Sequence, residues 1–229
     1  IEAFKPREYW TVEVDFRTAN DASLIGRLTH LNGKKLDRFS IVNEKAAEIA
    51  KRTLKAGDFA IGGVETKPTL RNPAPPFTTS TLQQEASRKL RMSAKRTMQV
   101  AQKLYEGINI GGEAVGLITY MRTDGTNISA EAISDFRNFV KNEYGTEYLP
   151  KDPLNYSGKK AKNAQEAHEA IRPTDIDRSP DKVKKYLSPD QHKVYDLIWS
   201  KALSSQMQSA RFDRNSITIA SENKETVFK

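Results

Sequence analysis

Cysteine is absent from the 229 residues, which excludes disulfide scaffolds, thiolate zinc sites and cysteine nucleophiles together. The three histidines, His30, His168 and His192, stand far apart, so nothing in the sequence supports a histidine-rich metal centre. No apolar run approaches the ~20 residues that span a bilayer, which excludes an integral helical membrane protein. There is no glycine loop ending in GK[ST] and no GxGxxG after a strand, so nucleotide-driven chemistry has no support. Apolar residues are also in short supply, at 37%. Counting Gly in place of Tyr raises this to about 39%, still below the ~45–50% of ordinary globular domains. That argues against one compact core and for small lobes with much exposed surface. Negative charge is outweighed: 37 Lys and Arg against 29 Asp and Glu leave a net charge of +8. Such an excess favours a polyanionic partner, nucleic acid before an anionic membrane surface. The first residue is Ile, no signal-peptide pattern follows it, and Val227-Phe228-Lys229 end the chain in a strand-like stretch. The chain therefore reads as an internal piece of a longer protein.

What is present divides by type of periodicity. From Tyr9 to Arg17 apolar and polar residues alternate, with Trp10, Val12, Val14 and Phe16 on one side, the pattern of a half-buried strand. Asn43 precedes a helical pattern that places Ala46, Ala47, Ile49, Ala50 and Leu54 together, closed by Gly57. Phe59 to Thr66 returns to strand character. Residues 68–76 hold four of the ten prolines and read as a hinge or boundary, because proline supplies no backbone donor and restricts its predecessor. Helices follow. Thr81-Leu-Gln-Gln84 has the form of a capping box, and Leu82, Ala86 and Leu90 repeat every four residues. A second helix, with Ala94, Met98, Ala101 and Tyr105 on its apolar face, ends near Gly107. Arg88, Lys89, Arg91, Lys95, Arg96 and Lys103 are either a solvated face or a set of phosphate contacts. Val115 to Met121 reads as a short strand, Ser129 to Glu143 as a helix using Ile133, Phe136 and Val140, and Asn163 as the start of a helix ending at Pro173. Ser179-Pro180 and Ser188-Pro189 each pair an N-cap with proline at the first helical position, the second opening a helix with Val194, Ile198 and Ala202 aligned. Ile217 and Ile219 alternate with polar residues, so strand returns at the end, and the order suggests a helical domain inserted into a β-rich one.

Two clusters can carry chemistry. In Leu117-Ile-Thr-Tyr-Met-Arg-Thr-Asp-Gly-Thr-Asn-Ile-Ser129 an apolar stretch runs into tyrosine, arginine, aspartate and hydroxyls. If it is a strand, Tyr120 and Arg122 project from one face. A phenol is a poor nucleophile at neutral pH, but a neighbouring guanidinium favours the phenolate and can hold a phosphate through paired donors. That pair suits attack on a phosphodiester. On spacing alone, a packed strand tyrosine beside a solvated arginine is the ordinary reading. The second cluster, Ala167-His-Glu-Ala-Ile-Arg-Pro-Thr174, sets His168 and Arg172 four apart, one helix face if helical, although Pro173 works against that geometry at Arg172. Asp175 and Asp177 lack a third acid at metal-ligand spacing and read as solvated.

LITYMRTDGTNIS resembles the active-tyrosine signature of bacterial type IA DNA topoisomerases. PPFTTSTLQQEAS before it and QEAHEAIRPTD after it resemble further motifs of that family in the same order, and the flanks Phe4–Trp10 and Val194–Trp199 also fit. The resemblance implies a multidomain α and β fold, part of a toroid, with a mainly helical tyrosine-bearing domain inserted into a β-rich arch domain. It assigns residues 1–15 to the end of a single-strand-groove domain, 16–78 and 208–229 to the arch, and 79–207 to the helical domain. It implies ATP-independent relaxation of negatively supercoiled DNA through a 5′-phosphotyrosine intermediate on Tyr120. Arg122 would stabilise phenolate and phosphate, and His168 would hydrogen-bond a phosphate or a partner acid. Thr119, Thr123, Asp124, Arg172, Gln102 and Glu106 would line the pocket, Gln102 and Glu106 across a stretch, Ile108 to Gly116, longer than in some relatives. The family's Mg²⁺ is bound by an N-terminal TOPRIM domain, so no metal ligand is expected within 1–229. The implied partners are single-stranded segments of DNA and the rest of the same polypeptide, with no membrane, in the cytoplasm at the nucleoid. Apart from the resemblance, two other readings remain open: a non-catalytic DNA-binding module in which Tyr120 packs, and a membrane-surface protein, for which no helix sets basic residues opposite a strongly apolar face.

Overall fold

The computed structural model describes residues 3, 5–55, 57–156 and 169–229. In chain order the elements are β1 (Glu13–Arg17), β2 (Ser23–Leu31), β3 (Lys34–Lys35), α1 (Glu44–Lys55), β4 (Phe59–Arg71), α2 (Thr79–Leu90), α3 (Ala94–Glu106), β5 (Ile108–Ile110), β6 (Glu113–Val115), α4 (Ala130–Glu143), α5 (Pro180–Val183), α6 (Pro189–Ser204), β7 (Ala210–Ser221) and β8 (Val227–Phe228). They form two compact units, one of Ile1–Thr69 with Arg211–Lys229, the other of Leu70–Ala210. No described helix is long and apolar enough to cross a membrane.

The first unit is a sheet of order β1-β2-β8-β7-β4, with β3 beside β2. Val14 faces Gly26 and Phe16 faces Leu24 across the antiparallel β1–β2 pair. The rings of Phe16, Phe59 and Phe228 meet edge to face at centroid distances of 4.9–5.8 Å. Around them Leu28, Leu54 and Ile219 are buried. The alternation from Tyr9 becomes strand only at Glu13, and Trp10 stays 39% exposed, its amide donating to the Ile41 carbonyl. In α1 the Asn43 side chain accepts the Ala46 amide at 2.9 Å, and Ala50 and Leu54 are buried. Ile49 is exposed instead of facing inward, because it lies 100° around the helix from Ala50. β4 continues past Thr66 and through Pro68 to Arg71. It is an edge strand, which needs only alternate backbone donors, so a proline can sit in it.

The second unit is built on α2, α3, α4 and α6, whose inward faces share one core with Phe77, Leu117, Ile118, Met121 and Ile171. The capping box of α2 lies one turn earlier than its sequence suggests. Thr78 is the N-cap, its hydroxyl accepts the Thr81 amide, and the Thr81 hydroxyl accepts the Thr78 amide in return. In α3 the buried residues are Thr97, Val100, Ala101 and Leu104, so the core face is rotated from the expected Met98–Tyr105 stripe and Tyr105 is left 41% exposed. Ser129 caps α4, and Ser188 forms a reciprocal box with Gln191 at the start of α6, with Pro189 at its first position. Val194, Ile198 and Ala202 are fully buried on that helix.

Two expectations fail. Val115 to Met121 is not a strand: β6 ends at Val115, and beyond it, among the described residues, only Ile118 pairs, in a single antiparallel bridge to Pro173. The expected helix from Asn163 to Pro173 falls mostly outside the described residues, but 169–173 is extended. Glu169, Ile171 and Pro173 each bridge a different segment, at Asn127, Phe77 and Ile118. Pro173 disfavours helical geometry at Arg172, and the amides that a helix would use are taken by these partners.

Candidate active site

The segment around Tyr120 is held by its neighbours rather than by a ladder. Gly116 lies so close to the end of α3 that a Cβ there would stand 2.7 Å from the Tyr105 carbonyl oxygen, and the Leu117 amide donates to the Leu104 carbonyl at 2.7 Å. This contact turns the chain out of β6 and drops Leu117 and Ile118 into the core, at 0% and 1% exposure. Thr119 then ties the segment to the extended 169–174 strap. Its amide donates to the Arg172 carbonyl at 2.9 Å, its hydroxyl donates to the Ala170 carbonyl at 2.7 Å, and that hydroxyl accepts the Arg172 amide at 3.0 Å. Thr174 closes the other end, its amide donating to the Leu117 carbonyl and its hydroxyl to the Gly116 carbonyl. Met121, again buried, follows.

Between these anchors Tyr120 points outward and is 48% exposed. One side of its ring packs against Tyr105, centroids 5.3 Å apart and planes at 64°. The rotation of α3 that exposes Tyr105 therefore gives Tyr120 its neighbour. Arg122 and Asp124 are also exposed, and neither makes a hydrogen bond or ion pair among the described residues. Since 115–121 is not a strand, the expected common strand face of Tyr120 and Arg122 does not exist; they stand on either side of the buried Met121. Thr123 is buried, and its hydroxyl accepts the Gly125 amide.

The remaining predicted residues divide. Arg172 is internal: Nε donates to Glu169 Oε1 at 2.7 Å and a terminal nitrogen donates to its neighbour's carbonyl at Pro173. Gln102 and Glu106 bond each other at 2.6 Å along α3. They line a separate cavity of about 480 Å³ with Arg96, Lys103, Ser188 and Gln191, in which Tyr120 takes no part. His168 lies outside the described residues. Of the basic residues on α2 and α3, Arg88 pairs with Glu85 and Arg96 with Asp190, so those two are committed to structure.

Glu169 and Thr79 do structural work that sequence reasoning missed. Burial pushes the Glu169 carboxyl up, but the Arg172 guanidinium and the Ser129 amide outweigh it, so its pKa lies below the ordinary value of 4.5. One carboxylate thereby joins the start of α4 to the 169–174 strap. Thr79, the first residue of α2, bonds the backbone at Met121 and Thr123. A run of threonines near a helix start signals capping, but nothing in it identifies partners more than 40 positions away. As for a metal, the described residues hold no group of three or more His, Asp or Glu placed to bind one. Asp175 accepts the Asp177 amide and lies 3.5 Å from Arg178, which is turn geometry and ion pairing. Among the described residues, Asp175 and Asp177 are therefore engaged in a turn and an ion pair and not gathered with a third acid.

A family model described as DNA topoisomerase matches residues 1–229. The chain is 50% identical over 229 residues to DNA topoisomerase 1 of Rickettsia felis, covering 100% of this chain and 29% of that protein. It is 47% identical over 233 residues to DNA topoisomerase 1 of Xylella fastidiosa strain Temecula1, again covering 100% of this chain and 28% of the relative. Among solved structures, full-length topoisomerase I from Thermotoga maritima superposes with a TM-score of 0.73 at 32% identity, over 100% of this chain and 34% of the other. The chain thus spans about a third or less of the length of the bacterial relatives it matches. With the tyrosine segment, its flanking motifs and the fold all in agreement over the full length, the chain belongs to the family of bacterial type IA DNA topoisomerases.

Proposed function

We propose that this chain is the nucleophile-bearing part of a longer polypeptide that relaxes negatively supercoiled DNA without ATP. The observation that carries the reading is the contrast along five residues: Leu117, Ile118 and Met121 are buried to 0–1% exposure while Tyr120 is 48% exposed. A phenol so presented can reach the phosphorus of a DNA backbone ester. Its oxygen forms the new bond to phosphorus, the 3′ oxygen leaves and takes up a proton, and the 5′ phosphate remains on Tyr120. One phosphodiester has replaced another, so the 3′ hydroxyl can reverse the step after a second strand has passed. Arg122, exposed and uncommitted among the described residues, would neutralise charge on the phenolate and on the phosphate oxygens, the kind of electrostatic support that usually dominates such reactions. Asp124 and the Thr119 and Thr123 backbones would define the rim of the pocket, and His168 would hydrogen-bond a DNA phosphate or a partner acid; the internal bonds of Arg172 favour a positioning role for it.

In the same reading the chain contributes to a toroid, with 79–207 as the tyrosine domain, 16–78 and 208–229 as arch, and 1–15 as the end of a groove domain. Its partners are single-stranded DNA and the remainder of its polypeptide, in the cytoplasm at the nucleoid. Mg²⁺ is assigned to a TOPRIM domain outside this chain. The 229 residues alone are expected to bind single-stranded DNA weakly and not to cleave it.

The test uses the longer polypeptide and a 5′-mapped single-stranded oligonucleotide, with denaturing gels to detect covalent adduct. Tyr120→Phe should abolish the adduct while leaving oligonucleotide affinity within about twofold, since a uniform binding contact and a transition-state contact separate in this way. Adduct surviving that substitution, or formed by residues 1–229 alone, would refute the assignment and leave a non-catalytic DNA-binding module.

A further inference from the structure

We infer that Thr79 is a positioning residue for the Tyr120–Arg122 pair, acting through the backbone on both sides of Arg122. This rests on the topoisomerase reading above. The Thr79 hydroxyl donates to the Met121 carbonyl at 2.8 Å and accepts the Thr123 amide at 2.9 Å, while the Thr79 amide donates to the Thr123 carbonyl at 2.9 Å. The second hydroxyl contact, to the Thr123 carbonyl at 3.1 Å, competes for the same proton and is the longer. Arg122 therefore sits inside a loop whose preceding carbonyl and following amide are both held by one side chain.

The first amides of a helix have no intrahelical partner and need one from outside. In α2 that need is met without the Thr79 hydroxyl, because Thr78 and Thr81 form a complete reciprocal box. The hydroxyl is thus free for the loop. On the other side of Tyr120 the backbone is fixed by Thr119 to Ala170 and Arg172. Tyr120 is therefore held between two clamps. The Thr119 clamp fixes the residue before the nucleophile, and the Thr79 clamp fixes the cation after it. Losing the hydroxyl would leave the helix cap and the apolar anchors in place and release only the distance between phenol and guanidinium. A displacement of about 1 Å at reacting groups costs up to about 100-fold in rate.

The experiment compares Thr79→Val and Thr79→Ser with the parent in the longer polypeptide. It measures single-turnover adduct formation at saturating oligonucleotide, the affinity for that oligonucleotide by fluorescence anisotropy, and thermal midpoints. Thr79→Val is expected to slow adduct formation about 10- to 100-fold with affinity nearly unchanged, and Thr79→Ser to restore the parent rate. A Thr79→Val enzyme at the parent rate overturns the inference, as does a loss shared equally by Thr79→Ser or matched by an equal loss of affinity. If Thr79→Val does not fold, Thr79→Ser decides alone, because it keeps both hydroxyl bonds and a slow enzyme would then contradict the clamp. Tyr120→Phe run in parallel keeps the two readings apart. Adduct from Tyr120→Phe would refute the topoisomerase reading, whereas an inert Tyr120→Phe beside a fully active Thr79→Val would refute only the role of Thr79.

Discussion

In the helical unit one contiguous cluster holds 22 buried apolar residues among those described, drawn chiefly from four helices, the Tyr120 segment and the 169–174 strap. In the sheet unit the corresponding cluster holds four, Leu28, Leu54, Ile219 and Phe228, ringed by partly buried neighbours. The sheet unit also leaves apolar residues on its surface, with Ile25 at 74%, Ile61 at 53% and Val64 at 63% exposure. A sheet whose long strands are open along much of their length has few places to bury side chains, and it is secured by the Phe16, Phe59 and Phe228 rings. The helical unit surrounds its core on several sides, and three of the most deeply buried members, Leu117, Ile118 and Met121, are the sequence neighbours of Tyr120, the exposed residue proposed as nucleophile. The dense core is what allows an outward-facing phenol to keep a fixed position, since interiors packed to crystal-like density transmit little slack.

That contrast can be broken first in the dense unit. Phe136 is 1% exposed on α4. Phe136→Ala should cost about 3–5 kcal/mol, through lost transfer energy and a cavity that close packing cannot refill. The two tryptophans provide a local reading: Trp199 is buried in the helical core, and a Trp10→Phe background leaves it as the sole indole, so urea titration by its fluorescence follows that core. The sheet unit is more sensitive to added volume at one place. A Cβ on Gly26 would lie 2.9 Å from the Phe16 ring and 3.0 Å from Phe228 Cβ. Gly26→Ala should therefore cost about 1–3 kcal/mol by overpacking, despite the usual gain from replacing glycine in a strand. Denaturation followed by the amide signals of β2 and β8 measures it, and an unchanged midpoint would mean the aromatic knot yields easily.

The parts legible in the sequence are those governed by local rules. Ser129, Ser188 with Pro189, and the Val194, Ile198, Ala202 spacing fix helices through caps and periodicity that need no distant partner. The Tyr120 cluster is visible by composition, because an apolar run that turns abruptly into Arg, Asp and hydroxyls is unusual in any context. Its geometry is not. Val115 to Met121 has strand propensity, but a strand requires a neighbour in register, and among the described residues one is offered beyond Val115 only at Pro173. The 169–174 strap has no period of its own, since each bridge goes to a different segment. Pro68 reads as a stop in the sequence because its effect depends on whether the strand is central or at an edge, which the sequence does not specify. The buried face of α3 differs from the expected one by about one residue, 100° of rotation, which is enough to exchange a core tyrosine for one packed against Tyr120.

The smallest expected effect separates the units by charge instead of volume. Glu169 and Glu65 each accept a short bond from a cation, from Arg172 at 2.7 Å and from Lys67 at 2.8 Å. The first pair is partly buried, with 14% and 34% side-chain exposure, and the second is open at 67% and 62%. Burial raises the pKa of Glu169, but Arg172 and the Ser129 amide bring it net below 4.5. A carboxylate whose folded pKa lies below its unfolded one contributes stability above the unfolded value and loses it as pH falls through the folded value. Glu169→Gln should thus cost about 1 kcal/mol at pH 7, and the difference from the parent should shrink from roughly pH 4.5 downward and vanish below the folded pKa. Glu65→Gln should show no measurable difference at any of these pH values, because solvent and salt screen an open pair. Urea midpoints of the two variants and the parent between about pH 3 and pH 7 supply the comparison. An equal, pH-independent response from both variants would mean that Glu169 acts by shape alone, and that the strap carrying Arg172 is held to α4 without its charge.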